Sequence, residues 1–267
     1  MLLSCVDVGT YAAPDVTGSR VPKIAMKLPQ QRLKGRVALI TGASRGIGLA
    51  IAQSLAAEGC HLILTGRTIG TLEKTARKLS SGKIRALAKI CDVRDPHAVR
   101  ALGHIIQKQF RRLDILINNA GIAHPNLPAA KLPYHMWRSV IDTNLTGTFL
   151  VTREMLPLMR CGGTIVNNLS IAATQVFAGS SAYNASKHGA LGFTDTLREE
   201  LREKGIRVIA LMPGATDTDI WDTLWPKAPR RKMMSSETIA HALIAALALP
   251  ENSTMEQLTI APTGGAL

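Results

Sequence analysis

Short, almost wholly apolar runs alternate along this chain with longer stretches in which apolar residues recur every three to four positions. The runs at 37–42, 61–66, 84–91, 114–119, 163–169, 206–212 and 257–261 read as strands. The stretches near 47–58, 69–79, 96–110, 135–160, 183–204 and 237–249 read as helices. Strands as apolar as Val37-Ala38-Leu39-Ile40 are covered on both faces, which predicts a parallel sheet flanked by helices. Strand–helix alternation with short connections predicts right-handed crossovers and an α/β, doubly wound, seven-stranded parallel sheet in a single domain.

Two segments depart from this rhythm. Residues 122–134 carry Pro125, Pro128 and Pro133; residues 213–235 carry Pro213, Pro226 and Pro229 together with Trp221, Trp225 and the pair Met233-Met234. Long loops beyond the strand ends of an open α/β sheet are the usual place for substrate, and the second is too apolar to be a plain surface excursion. Ahead of the first strand, residues 1–31 read as a weakly ordered extension with prolines at 14, 22 and 29, leaving 32–267 as the domain. Met26 is a candidate natural start; a native N-terminal peptide beginning before it would refute that.

Composition narrows the class. With 46% apolar residues in 267, the chain has enough material for one substantial core. No apolar run reaches the roughly 18 residues that span a bilayer, and Ile239–Leu249 is both short and interrupted by His241. Residues 1–8 have no basic flank and include Asp7, unlike a secretory signal, and residues 1–19 hold two aspartates and no Lys or Arg, unlike a mitochondrial presequence. The expectation is a cytoplasmic protein outside the membrane. Cys5, Cys60, Cys91 and Cys161 form no CxxC pair, so neither metal nor disulfide is expected. The net charge of +13 is concentrated at 20–36, 100–112 and 227–232. Such clusters suit a nucleotide phosphate, coenzyme A, an acidic carrier or solvent. Nucleic acid is disfavoured by 4% aromatics and the absence of any zinc-finger, basic-zipper or RNA-recognition pattern.

The candidate chemistry begins with Thr41-Gly42-Ala43-Ser44-Arg45-Gly46-Ile47-Gly48, which joins the first strand to the first helix. A glycine-rich turn in that position makes a phosphate cradle. Gly42 permits the tight turn, while Gly46 and Gly48 clear space for close approach. Asn118-Asn119-Ala120-Gly121 closes the fourth strand, Asn144 falls within the following helix, and Ser170 ends the fifth strand. Tyr183 and Lys187 share one face of the next helix at i and i+4. A phenol ionises near pH about 10, too high for an efficient base; a neighbouring ammonium, together with a second cationic ring such as an oxidised nicotinamide, is expected to lower that value.

In order and spacing, TGxxxGIG, NNAG, Asn144, Ser170, YxxxK and Pro213-Gly214 resemble the short-chain dehydrogenase/reductase family, from about Lys34 to the C-terminus. The resemblance implies a Rossmann-type domain and an oxidoreductase moving hydride between a nicotinamide coenzyme and a ketone or secondary alcohol. Tyr183 would be the acid/base, Lys187 would hold the ribose and tune Tyr183, Ser170 would bind the reacting oxygen, and Asn144 would hold a water leading to Lys187. Coenzyme would be held by Gly42, Ser44, Arg45, Gly46, Ile47 and Gly48 in the turn, and by Asp92 and Val93 near the adenine. Asn119, Ala120 and Gly121, then Pro213, Gly214 and Thr218, would line the rest. A homodimer or homotetramer packed through 135–160 and 183–204 is also implied.

The second strand ends Thr65-Gly66-Arg67, and no acid lies between His61 and Leu72. An acid there would accept from ribose hydroxyls and repel a 2′-phosphate; an arginine does the reverse. Arg67, with Arg45 in the turn, therefore predicts NADP(H). In Asp92-Val93-Arg94-Asp95-Pro96, Asp95 is the better helix cap. Thr263 stands before the final glycine pair, where many acyl-carrier reductases of the family carry an acid, which argues against fatty-acid synthesis. Substrate candidates are 3-oxoacyl thioesters, small 3-hydroxy acids and apolar ketones or steroids, with the apolar loop at 213–235 favouring a moderately hydrophobic one. The competing reading is a non-catalytic NADP-binding sensor on the same fold; a third is nucleic-acid binding through the basic arm.

Overall fold

The computed structural model describes residues 33–265. The expectations placed on residues 1–31, including the Met26 start and Cys5, lie outside the described residues.

Seven strands form one sheet in the order β3-β2-β1-β4-β5-β6-β7, every pairing parallel. They are β1 (Val37–Thr41), β2 (His61–Gly66), β3 (Ala86–Ile90), β4 (Ile115–Asn118), β5 (Thr164–Asn168), β6 (Arg207–Pro213) and β7 (Gln257–Ile260). The α-helices are α1 (Gly46–Ala57), α2 (Ile69–Leu79), α3 (Pro96–Phe110), α4 (Tyr134–Ile141), α5 (Gly147–Met155), α6 (Ser181–Arg202), α7 (Ile220–Leu224) and α8 (Ser236–Leu247).

The alternation of side chains along β1 shows why the sheet is covered twice. Ala38 and Ile40 pack with Ile51 and Leu55 of α1, Leu72 of α2 and Leu243 of α8. Val37 and Leu39 face the other way, into Leu102 and Ile106 of α3, Met155 of α5 and Leu197 of α6. Successive residues of β1 thus feed alternate apolar layers, which is why that strand is apolar up to Thr41. None of the helices in the described residues is long and apolar enough to cross a membrane.

Three details differ from the sequence expectation. The helix expected over 135–160 is two helices joined by a π turn at Asp142–Thr146 and closed by a 3₁₀ turn at Leu156–Leu158. The apolar period runs through unbroken, so periodicity alone cannot reveal the extra residue inserted at Asn144. The segment 213–235 is not an open loop: it contains α7 and is tied at its base, where Met234 donates to Ala215 O (3.0 Å) and accepts from Asp217 N (2.8 Å). Finally, β3 spans 86–90 rather than 84–91, because Ser81 and Ile84 exchange their amide bonds with each other in a local turn.

Candidate active site

The chain leaves β1 toward β2 on one side, while β4 lies on the other, so the crevice opens at the carboxyl ends of β1 and β4. A cleft of about 930 Å³ occupies that edge, large enough for a dinucleotide and a small substrate together. All the coenzyme residues expected from sequence line it except Gly46, and so do Ser170, Tyr183 and Lys187. Asn144 does not.

The floor of the cleft is a polar joint between β1 and β4. Thr41 Oγ1 accepts from the amides of Asn119 (2.9 Å) and Ala120 (3.0 Å). Asn119 Nδ2 returns bonds to the carbonyls of Thr41 (2.9 Å) and Gly42 (3.1 Å). A Cβ on Gly48 would run into Asn119 Nδ2 and the Gly42 carbonyl. The space at Gly48 is therefore taken by the protein's own turn. Gly42 has φ +64°, and a Cβ there would sit 2.9 Å from the Ala120 Cα. Asn118 ties the same strand sideways, donating to Thr152 Oγ1 and Asn167 Oδ1, both at 2.9 Å.

Helix α1 begins at the cradle with no side-chain cap on its N-terminus and no acid in its first turn. Open amides and the positive end of the helix dipole suit an anion. Arg67 lies exposed just after β2, and no carboxylate among the described residues is bonded to it. These features fit a phosphorylated nucleotide: the donor set is cationic at the ribose end and amide-rich at the diphosphate end. Arg45 is already engaged, its Nη1 2.9 Å from Asp219 Oδ2. Asp92, expected near the adenine, lines the cleft and is chelated by Arg94 (Nη2–Oδ2 2.6 Å, Nε–Oδ1 3.0 Å). Those bonds hold its carboxyl below the usual range. Asp95 caps α3, accepting from His97 N at 2.9 Å, as its place before Pro96 predicts.

At the far end of the cleft, α6 brings Tyr183 and Lys187 to the wall opposite the cradle. Lys187 is 7% exposed, and its Nζ donates to the Asn168 carbonyl at 3.0 Å. Burial lowers its pKa to about 8. The lowering of the Tyr183 pKa expected from this ammonium together with an oxidised nicotinamide does not arise from the ammonium by itself. Burial pushes the phenol up, and the opposing pull comes from a hydrogen bond with Ser170. The physical reason is geometric: Nζ stands 5.6 Å from the ring centroid and spends a bond on Asn168. Ser170 also accepts from Ala172 N at 3.1 Å, so it is at once a turn cap and a partner of the phenol.

Asn144 sits in the π turn with its amide fully used. Oδ1 accepts from Ile122 N (2.9 Å), and Nδ2 donates to Ile122 O (2.9 Å) and Ser186 Oγ (3.0 Å). It staples the 122–134 loop to α6. Three further residues escaped sequence reasoning. Asn168 bridges the two ends of the cleft, donating to Asn119 Oδ1 at 2.8 Å while its carbonyl holds Lys187. Its signal was available: a polar residue at the end of an otherwise apolar strand. Asp219 and Arg94 gave none, since each matters only through its ion-pair partner. The thiols of Cys60 and Cys91 are buried and pushed up to about 12 and about 11, which leaves them inert.

A glycine turn at the switch point of a doubly wound sheet, facing a Ser/Tyr/Lys cluster across one cleft, defines a dinucleotide-binding catalytic scaffold. Residues 36–229 match the short chain dehydrogenase family, and the chain belongs to that family as one of its oxidoreductases. It is 34% identical over 234 residues to an uncharacterised oxidoreductase of Staphylococcus saprophyticus, covering 86% of this chain and 98% of that one. A putative ketoacyl reductase of Streptomyces coelicolor is 38% identical over 202 residues, 70% of this chain and 77% of the relative. A short chain dehydrogenase from Burkholderia cenocepacia in complex with NADP superposes with a TM-score of 0.79 at 32% identity, over 86% of this chain and 98% of that one.

Proposed function

We propose that this protein is an NADP(H)-dependent carbonyl reductase that converts a moderately hydrophobic ketone or 3-oxoacyl compound into a secondary alcohol. The observation that carries the reading is the meeting of Ser170, Tyr183 and Lys187 in the same cleft as the glycine cradle and Arg67. Bound NADPH supplies the hydride that adds to the carbonyl carbon. Tyr183, a phenol and so protonated at neutral pH, with burial pushing its pKa further up, gives its proton to the carbonyl oxygen as the C–O π bond opens. Ser170, whose hydroxyl bonds the phenol in the protein alone, turns its one proton to that oxygen, and returns it to the phenolate left behind once the alcohol has taken the proton of Tyr183. Lys187 holds the ribose. Asn144 is assigned the water through which a replacement proton reaches Lys187; its amide is committed to Ile122 and Ser186, and its backbone carbonyl, which accepts from Thr148 Oγ1 at 2.8 Å, has one lone pair left for that contact. The raised pKa keeps the phenol in the protonated form that reduction uses, whereas oxidation uses the phenolate and is favoured by alkaline pH.

The substrate end supports the chemical class. Ile122, Phe177, Leu224 and Trp225 line it, and Trp221 is fixed by its indole N–H donating to the Thr216 carbonyl at 2.9 Å. Arg230, from the same segment, is consumed by Asp217 and Asp222. This apolar lining suits an apolar ketone better than a small anionic acid. Homo-oligomerisation is supported by Tyr134, Trp137 and Phe149, exposed on α4 and α5 at 72%, 36% and 41%.

The reading is tested by following NADPH consumption with a panel of aliphatic, aromatic and 3-oxoacyl ketones. Turnover of at least one bulky ketone is expected, with small oxo-acids slower; binding of NADPH with no turnover across the panel would indicate a sensor. Lys187 adds a pH signature. Its ammonium is present below about pH 8 and lost above it. NADP⁺ affinity should weaken roughly three- to tenfold between about pH 7 and 9 if that charge holds the ribose. A fluorescence or calorimetric titration that is flat over that window removes Lys187 from coenzyme binding.

A further inference from the structure

Four arginines that the proposed reaction does not use converge at the opposite edge of the sheet. Arg85, Arg111, Arg112 and Arg160 line a depression of about 380 Å³ together with His61 and Phe110. Each lies at the amino end of a strand: His61 opens β2, Arg85 precedes β3, Arg111 and Arg112 precede β4, and Arg160 precedes β5. The catalytic cleft uses carboxyl ends, so the two cavities lie on opposite edges.

No carboxylate among the described residues lines this depression. The neighbouring Asp114 is already shared, accepting from Arg112 Nε (3.1 Å) and Val37 N (2.7 Å). Arg85 lies 4.6 Å over the Phe110 ring and donates to Gln109 O at 3.2 Å. The guanidiniums of Arg111 and Arg160 make no hydrogen bond or ion pair with the described residues. Like charges gathered this way repel, and an anion relieves them. His61 contributes as well: its Nδ1 accepts from Arg85 N at 3.1 Å, which puts the ring proton on Nε2 as a further donor. Arg111 carries a second observation. It caps α3 with φ 63°, the only non-glycine in that left-handed region among the described residues. Glycine would sit there without strain, yet the position holds a cation that faces the depression.

We propose that this depression is a second anion site, separate from the coenzyme cleft, for a small molecule bearing a diphosphate or two phosphates. Guanidinium groups grip phosphate oxygens in pairs, and the volume leaves room for two phosphate groups rather than one. The site does not depend on the coenzyme assignment.

Calorimetric titration with inorganic pyrophosphate, at constant ionic strength and both with and without saturating NADP⁺, tests it. One binding event that persists in the presence of NADP⁺ is expected, weakened at least tenfold by Arg160→Gln. Arg111→Gly should lose affinity to a similar degree yet melt at a higher temperature than the parent, since glycine takes that backbone freely; a folding defect would lower both. Pyrophosphate affinity unchanged in both variants overturns the proposal. So does an equal response to sulfate at matched ionic strength, or displacement of pyrophosphate by NADP⁺. If NADP⁺ does not bind, the arm without nucleotide decides in the same way.

Discussion

Replacing Tyr183 with phenylalanine lowers kcat for ketone reduction by about 10³-fold, within the range for a lost general acid, and leaves NADPH affinity within about twofold of the parent. The ring keeps its place on α6, so packing and the cleft wall survive; only the hydroxyl that bonds Ser170 is gone. Without it, the alkoxide formed at the former carbonyl must take its proton from water. Steady-state kinetics beside a nucleotide titration separate the two quantities. A loss under about tenfold would mean that the proton comes from elsewhere and that Tyr183 serves packing. A fall in nucleotide affinity equal to the fall in rate would make it a binding residue.

Arg67→Asp reverses the coenzyme preference. Arg67 stands at the end of β2 with its guanidinium exposed, and replacing it puts a carboxylate where the 2′-phosphate would lie. A charge-assisted bond is worth about 1.5–3 kcal/mol, and the new carboxylate adds repulsion. NADPH affinity should fall roughly 100-fold, while NADH affinity stays level or improves because an acid accepts from ribose hydroxyls. Arg45 cannot compensate without leaving Asp219, 2.9 Å away. Equal use of both coenzymes by the unaltered protein, or an equal loss for both in the variant, would remove Arg67 from the discrimination.

The elements legible in the sequence were those set by one-dimensional period. All seven strands and the helices at 46–57, 69–79, 96–110 and 181–202 follow from apolar runs and faces, because each buries against a layer that demands that pattern. The π turn at Asn144 and the short helix α7 do not follow, since both are set by tertiary ties: Asn144 by Ile122 and Ser186, α7 by the knot between Ala215, Asp217 and Met234. The same division runs through the site. Motif positions placed almost every expected side chain in the cleft, whereas the electrostatics depended on partners far away in sequence. Asp92 and Arg45 are already paired, and the Tyr183 phenol is raised rather than lowered, because desolvation exceeds anything Lys187 contributes from across the ring. Spacing locates a side chain on a helix face; it carries no information on how dry that face is.

The central claim is that Tyr183 and Lys187 stand beside the nicotinamide end of a nucleotide laid along the crevice from Arg67 to Ser170. A crystal structure of the protein soaked with NADP⁺ examines it without reference to any substrate. The expected result is the diphosphate on the amides of Gly46, Ile47 and Gly48, the 2′-phosphate at Arg67, and Lys187 Nζ and the Tyr183 hydroxyl within about 3 Å of the nicotinamide ribose. An empty crevice at saturating NADP⁺, or a nucleotide whose ring points away from these two side chains, would contradict it.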